Sequence, residues 1–83
     1  MTDRLRVGLI GCGAMGQGHL QVWEQIPKAT VVAVCDDYGA SATRTGEQWG
    51  VPSFTSVQEM LEVAHLDAVD ICTPSGQIGR AHV

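Results

Sequence analysis

The segment Gly11-Cys12-Gly13-Ala14-Met15-Gly16 stands between two stretches of different hydrophobic period, and that change constrains the fold more than any other feature. Before it, Leu5 to Ile10 is a short, largely apolar run, of the kind that forms a strand buried on both faces of a parallel sheet. After it, Met15, His19, Val22, Trp23 and Ile26 fall within one stripe at roughly 100° per residue. That spacing predicts a helix from Ala14, with the stripe turned inward and Pro27 as its stop.

The alternation then repeats. Thr30 to Cys35 predicts a second buried strand, closing on Asp36 and Asp37. Ala42, Gly46 and Trp49 share a face, which predicts a helix over 39–49 with Gly50 at its end, although Gly46 costs roughly 1 kcal/mol relative to Ala. Ser53 to Thr55 reads as a short third strand. Ser56-Val57-Gln58-Glu59 has the capping-box pattern, so a helix begins at Val57 and carries Val57, Met60 and Leu61 inward. Ala68 to Cys72 is a fourth strand, broken by Thr73-Pro74, with a further helix from Gln77. The order β-α-β-α-β-α-β predicts a Rossmann-like, doubly wound parallel α/β sheet with strand order 3-2-1-4. A fold of this class needs two mononucleotide halves. Residues 1–83 hold one half, a fourth strand and the stub of a helix, so the expectation is one incomplete domain of this class.

Placed between strand and helix, G-x-G-x-x-G has a physical meaning. Gly11 allows the tight turn out of the strand, Gly13 leaves no Cβ in the way of a pyrophosphate, and Gly16 lets the helix pack closely on the sheet. Open N–H groups around Gly13, Ala14 and Met15, at the positive end of the helix dipole, then hold phosphates without a lysine. A P-loop is excluded, because no Gly-Lys-Ser/Thr occurs. Asp36 lies twenty residues past Gly16, the distance expected of a carboxylate that receives ribose hydroxyls. Asp36 and Asp37 together would face the extra phosphate of NADP, and one such contact at ~5 Å costs on the order of a few kcal/mol. No Lys or Arg follows before Arg44, so NAD is favoured over NADP.

Composition removes other classes. Five Lys+Arg against nine Asp+Glu give a formal charge of −4, and the basic residues are scattered, which argues against nucleic acid or an anionic membrane surface as partner. With 45% hydrophobic and 17% charged residues, neither disorder nor a membrane span fits. The run after Arg4 and Arg6 is too glycine-rich for a signal peptide and lacks a cleavage site. Cys12, Cys35 and Cys72 are far apart and odd in number, so a disulfide framework or zinc site is not expected and a reduced, cytoplasmic setting fits.

The segments Val7 to Gly16 with His19, Val34-Cys35-Asp36, and Leu66-Asp67-Ala68-Val69-Asp70-Ile71-Cys72-Thr73-Pro74-Ser75 resemble the amino-terminal domain of the Gfo/Idh/MocA oxidoreductases. The resemblance covers nearly the whole chain. It implies an NAD- or NADP-dependent oxidation or reduction of hydroxyl and carbonyl groups, mostly on sugars and cyclitols. It also implies that Thr73 and Pro74 lie beside the nicotinamide half of the cofactor. Family members continue through a Glu-Lys-Pro segment with a catalytic lysine and a substrate domain with a catalytic histidine, so the resemblance implies that residues 1–83 are an incomplete NAD(P)-binding Rossmann domain, with the substrate domain absent and no catalytic residue expected within them. Where many relatives carry a His after the Thr-Pro step, this chain has Ile78. The resemblance thus implies a small-molecule substrate only for the complete protein. A non-catalytic NAD-sensing module shares the same motif and is the competing reading; FAD and S-adenosylmethionine fit Asp36 and the glycine spacing less well.

Of the remaining residues, His19 reads as a packed histidine, while His65 and His82 read as solvated. Cys12 reads as a small filler, and Cys35, Cys72, Trp23 and Trp49 as core. Asp70, inside an apolar strand, points either to a covering helix end or to the missing part of the sheet. The open edge of the fourth strand invites association, and a homo-oligomer is among the expected partners of such a chain.

Overall fold

The computed structural model describes residues 4–72. Thr73, Pro74, Ile78, His82 and the helix expected from Gln77 lie outside those residues. Seven elements follow in strict alternation: β1 (Leu5–Ile10), α1 (Ala14–Glu24), β2 (Ala29–Cys35), α2 (Gly39–Trp49), β3 (Ser53–Phe54), α3 (Val57–Val63) and β4 (Ala68–Ile71). All strand pairs are parallel and the order is β3-β2-β1-β4, as the alternation predicts.

The helices divide between the two faces. Leu20 of α1 and Trp49 of α2 pack with Leu9, Val31, Val34 and Cys72 on one face, while Met60 of α3 packs with Ala33, Cys35, Phe54 and Leu66 on the other. Val31 and Val34 share a face although they are three apart. The cause is a bulge: Val7 pairs with Val31 but Gly8 with Ala33, so one extra residue of β2 resets the period-2 alternation.

Glycines fix the close approaches. A Cβ on Gly16 would lie 1.9 Å from the carbonyl oxygen of Gly11, so α1 rests directly on the turn leaving β1. A Cβ on Gly46 would lie 2.8 Å from the Val51 carbonyl oxygen and 2.9 Å from Ser53 Cβ, which explains a glycine inside α2. Gly50, at φ 70°, ends that helix in the left-handed region. Ser56 Oγ accepts from Glu59 N–H at 3.2 Å, so the cap of α3 forms as expected. At the other end of α3, the Arg6 guanidinium donates to the carbonyls of Ala64 and His65, occupying acceptors that the helix leaves open.

Two inward faces differ from expectation. Met15, Val22 and Ile26 are 58%, 60% and 37% exposed; α1 meets the sheet through Gly16 and Leu20, with Trp23 half-buried. Contact through a glycine rotates the buried face away from the apolar stripe. The helix also stops at Glu24, before Ile26. In α3, Met60 is fully buried but Val57 and Leu61 are exposed, because a seven-residue helix offers the sheet little more than one inward position.

Asp70 turns toward α1. Its Oδ2 lies 2.7 Å from His19 Nδ1 and accepts the Trp23 indole N–H at 2.8 Å, and its Oδ1 accepts from the Cys72 thiol at 3.6 Å. His19 is therefore satisfied, yet its side chain remains 45% exposed rather than packed. Burial pushes the pKa of Asp70 up, but the bonds from Trp23 and His19 outweigh it and leave the group below its ordinary 3.8.

Gly46→Ala is expected to destabilise the chain by ~1–3 kcal/mol through overpacking, despite the ~1 kcal/mol helix-propensity gain. The midpoint of a urea titration measures it; an unchanged midpoint would mean that β3 yields. Because the folded pKa of Asp70 is depressed, its contribution is present above the unfolded value near 3.8 and is lost as pH falls through the folded value. Asp70→Asn should accordingly flatten the acid limb of stability against pH, measured by urea unfolding at a series of pH values below neutrality.

Candidate functional site

The C-terminal ends of β1 and β2 and the N-terminus of α1 form one continuous structure. Gly11 takes φ 100°, a conformation that L side chains rarely adopt, and its N–H donates to the Cys35 carbonyl at 2.8 Å. The turn is thereby stitched to the end of β2. Gly13 is the N-cap of α1, with ordinary extended backbone and no side chain capping the helix. A Cβ on Gly13 would meet no protein atom within 4 Å, and the residue is exposed. Packing and backbone strain therefore account for Gly11 and Gly16 but not for Gly13. The open space beside Gly13, at a helix end whose first N–H groups lack partners and which has no acidic residue in its first turn, is the shape and charge that an anion such as a pyrophosphate requires.

Asp36 is held at the rim of this cradle. Its Oδ2 accepts the Cys12 N–H at 2.7 Å and its Oδ1 accepts the Tyr38 N–H at 2.8 Å, so the carboxylate is fixed between the glycine turn and the entry to α2. Each oxygen has a second lone pair for a hydroxyl donor. Asp37 beside it is exposed, and Arg44 is exposed on α2. Ala14 and Met15 are exposed in the first turn of α1. Gly11, Gly13, Ala14, Met15, Gly16 and Asp36 are thus brought together at one end of the sheet, with Asp37 next to them in sequence.

One member of this structure was not evident in the sequence. Gln17 Nε2 donates to the Cys12 carbonyl at 3.1 Å and to Thr45 Oγ1 at 2.9 Å, tying the glycine turn to α1 and to α2 at once. A lone glutamine carries no sequence signal of such a role. Cys12 is buried, and burial raises its pKa, followed by the charge of Asp36, while a hydrogen bond from Thr45 opposes the shift. Its thiol is a filler, not an activated nucleophile.

Cys35 is pushed up to about 11 by burial and nearby acidic groups, and so is Cys72, by burial and then Asp70. His19, Asp70 and Cys72 place three potential metal-ligand atoms within 4.8 Å of one another. These are donor types that zinc takes. However, Oδ2 of Asp70 is already engaged by Trp23 and His19. The geometry is that of a hydrogen-bonded link between α1 and β4. Among the described residues, no helix is long and apolar enough to cross a membrane.

The chain is similar to several known dehydrogenases. D-apiose dehydrogenase of Paraburkholderia graminis is 35% identical over 73 residues, which are 87% of this chain and 20% of that protein. Inositol 2-dehydrogenase of Leifsonia xyli is 36% identical over 74 residues, 88% of this chain and 22% of that protein. Among solved structures, the WlbA dehydrogenase of Bordetella pertussis, in complex with NADH and UDP-GlcNAcA, superposes with a TM-score of 0.83 at 31% identity, covering 88% of this chain and 23% of that one. The chain thus spans about a fifth of the length of the relatives it matches. Residues 5–83 match the model of an oxidoreductase family with an NAD-binding Rossmann fold. By that match, and by the glycine turn, the fixed Asp36 and the β3-β2-β1-β4 sheet, the chain belongs to the Gfo/Idh/MocA oxidoreductase family and forms part of its NAD-binding Rossmann fold.

Proposed function

We propose that this chain is the dinucleotide-binding portion of an NAD-dependent oxidoreductase that acts on a CH–OH or C=O group of a sugar- or polyol-like substrate. The observation that carries the reading is the placement of a fixed acceptor, Asp36, beside an uncapped helix N-terminus with open space at Gly13. The N–H groups of Gly13, Ala14 and Met15 bind the pyrophosphate, and Asp36 receives the adenosine ribose hydroxyls. Asp37 adds a second negative charge that opposes an added phosphate there. Thr73 and Pro74 are assigned to the nicotinamide side, which the reversal of strand order between β1 and β4 favours.

When bound, NAD supplies hydride transfer; the groups of this chain bind and orient it, and the proton-transferring groups belong to the rest of the complete protein. D-apiose and inositol dehydrogenases among the relatives support a polyhydroxylated substrate. Three free, buried cysteines among the described residues suit a reducing, cytoplasmic setting. The outer edge of β4 suits pairing with further strands or with another copy, so self-association is part of the proposal.

A fluorescence titration of the chain with NADH and NADPH tests the binding reading. NADH should bind at least several-fold more tightly, as a like-charge contact of roughly a few kcal/mol requires. Asp36→Ala should weaken NADH about tenfold, the scale of one hydrogen bond to a charged group, and narrow that preference. Equal affinities for the two cofactors would overturn the assignment of Asp36 and Asp37. The chain alone should oxidise no polyol with NAD, and turnover in that assay would place catalytic groups inside residues 1–83.

A further inference from the structure

A carboxylate on a largely covered strand position is costly unless it is fully paired, and an apolar side chain would serve burial better. Asp70 therefore calls for an account beyond packing. Its Oδ2 is shared by two groups of α1, His19 Nδ1 at 2.7 Å and Trp23 Nε1 at 2.8 Å, four residues apart on one helix face. Two bonds from successive turns to one oxygen restrain both the rotation of α1 and its position along its axis. Among the described residues these are the hydrogen bonds that join α1 to β4.

The two elements meet at a consequential place. In open α/β sheets a dinucleotide lies across the point where strand order reverses, with its halves on either side. Here that point is between β1 and β4. On the β2 side, the glycine turn is tied directly to Cys35 and Asp36. On the β4 side, Cys72 N–H donates to the Ile10 carbonyl at 2.7 Å, which fixes the end of β4 to β1, whereas among the described residues α1, apart from its bonds to Asp70, shares with that end only the apolar cluster of Leu20 and Cys72, and apolar packing is not directional. The Asp70 link supplies what is missing: it sets how the phosphate-facing end of α1 stands relative to the end of β4.

We propose that His19, Trp23 and Asp70 are positioning residues that fix the span between the N-terminus of α1 and the end of β4, and thereby favour a whole dinucleotide over its adenosine half. The proposal rests on the dinucleotide-binding reading above. None of the three residues needs to touch the ligand.

The test compares NADH, followed by its fluorescence, with ADP, followed by calorimetry, on the 83-residue chain and its Asp70→Ala, His19→Ala and His19→Gln variants. Asp70→Ala and His19→Ala should weaken NADH about tenfold, as the loss of a hydrogen bond to a charged group does, while ADP stays within about twofold. His19→Gln, whose amide can still donate to Asp70, should recover most of the NADH affinity. Parallel losses for both ligands would show that the link only supports the fold and would overturn the proposal. Unchanged NADH binding in Asp70→Ala would overturn it as well. Should the unaltered chain bind neither ligand, the dinucleotide reading itself fails and the proposal with it; binding of both by the unaltered chain separates the two failures.

Discussion

The approach of α1 to the end of β1 determines the rest of this structure. With the Gly11 carbonyl oxygen 1.9 Å from where a Cβ on residue 16 would stand, the helix sits as low on the sheet as backbone allows. That depth brings the first turn of α1 next to the end of β2, so the Cys12 N–H reaches Asp36 at 2.7 Å. It also sets which side chains of α1 meet the sheet: Leu20 is buried, and His19 and Trp23 come within reach of Asp70. An open helix end at Gly13, a fixed Asp36 carboxylate and a polar link to β4 all follow from one close approach between two glycines.

The same contact explains where sequence reading succeeded and where it did not. Alternation of period made every described element legible, with ends displaced by no more than one or two residues, and it yielded the strand order because parallel strands need covered crossovers. The glycine turn and Asp36 were legible because their chemistry depends on residue type and spacing. The inward face of α1 was not. Hydrophobic periodicity counts apolar side chains, whereas this helix packs through a residue with no side chain, which leaves Met15 and Val22 outside. The bulge in β2 was hidden for a related reason: Val31, Val32, Ala33 and Val34 are all apolar, so a skipped residue leaves no trace in the pattern.

Asp70 was legible as an anomaly but not as a contact. A carboxylate inside an apolar strand announces that some partner exists, and on α1 it is His19 with Trp23, at i and i+4, that meet it. Nothing in the linear order joins them, since 51 residues separate His19 from Asp70. The sheet order does, by placing β4 beside β1 under the helix that follows β1. Topology, once inferred, is thus itself a source of contacts.

The three motif glycines separate into two kinds when each is asked what a side chain would meet. Gly11 is required by a positive φ and Gly16 by a backbone oxygen, so both would be needed in a chain that bound nothing. Gly13 has neither constraint; a Cβ there would stand in open space at the uncapped end of a helix. A glycine carries an entropic cost in the unfolded chain, and here no feature of the folded chain offsets it. Open space at the uncapped, positive end of α1, with the Asp36 carboxylate fixed on the same turn by the Cys12 N–H, is the combination on which the proposed dinucleotide reading rests.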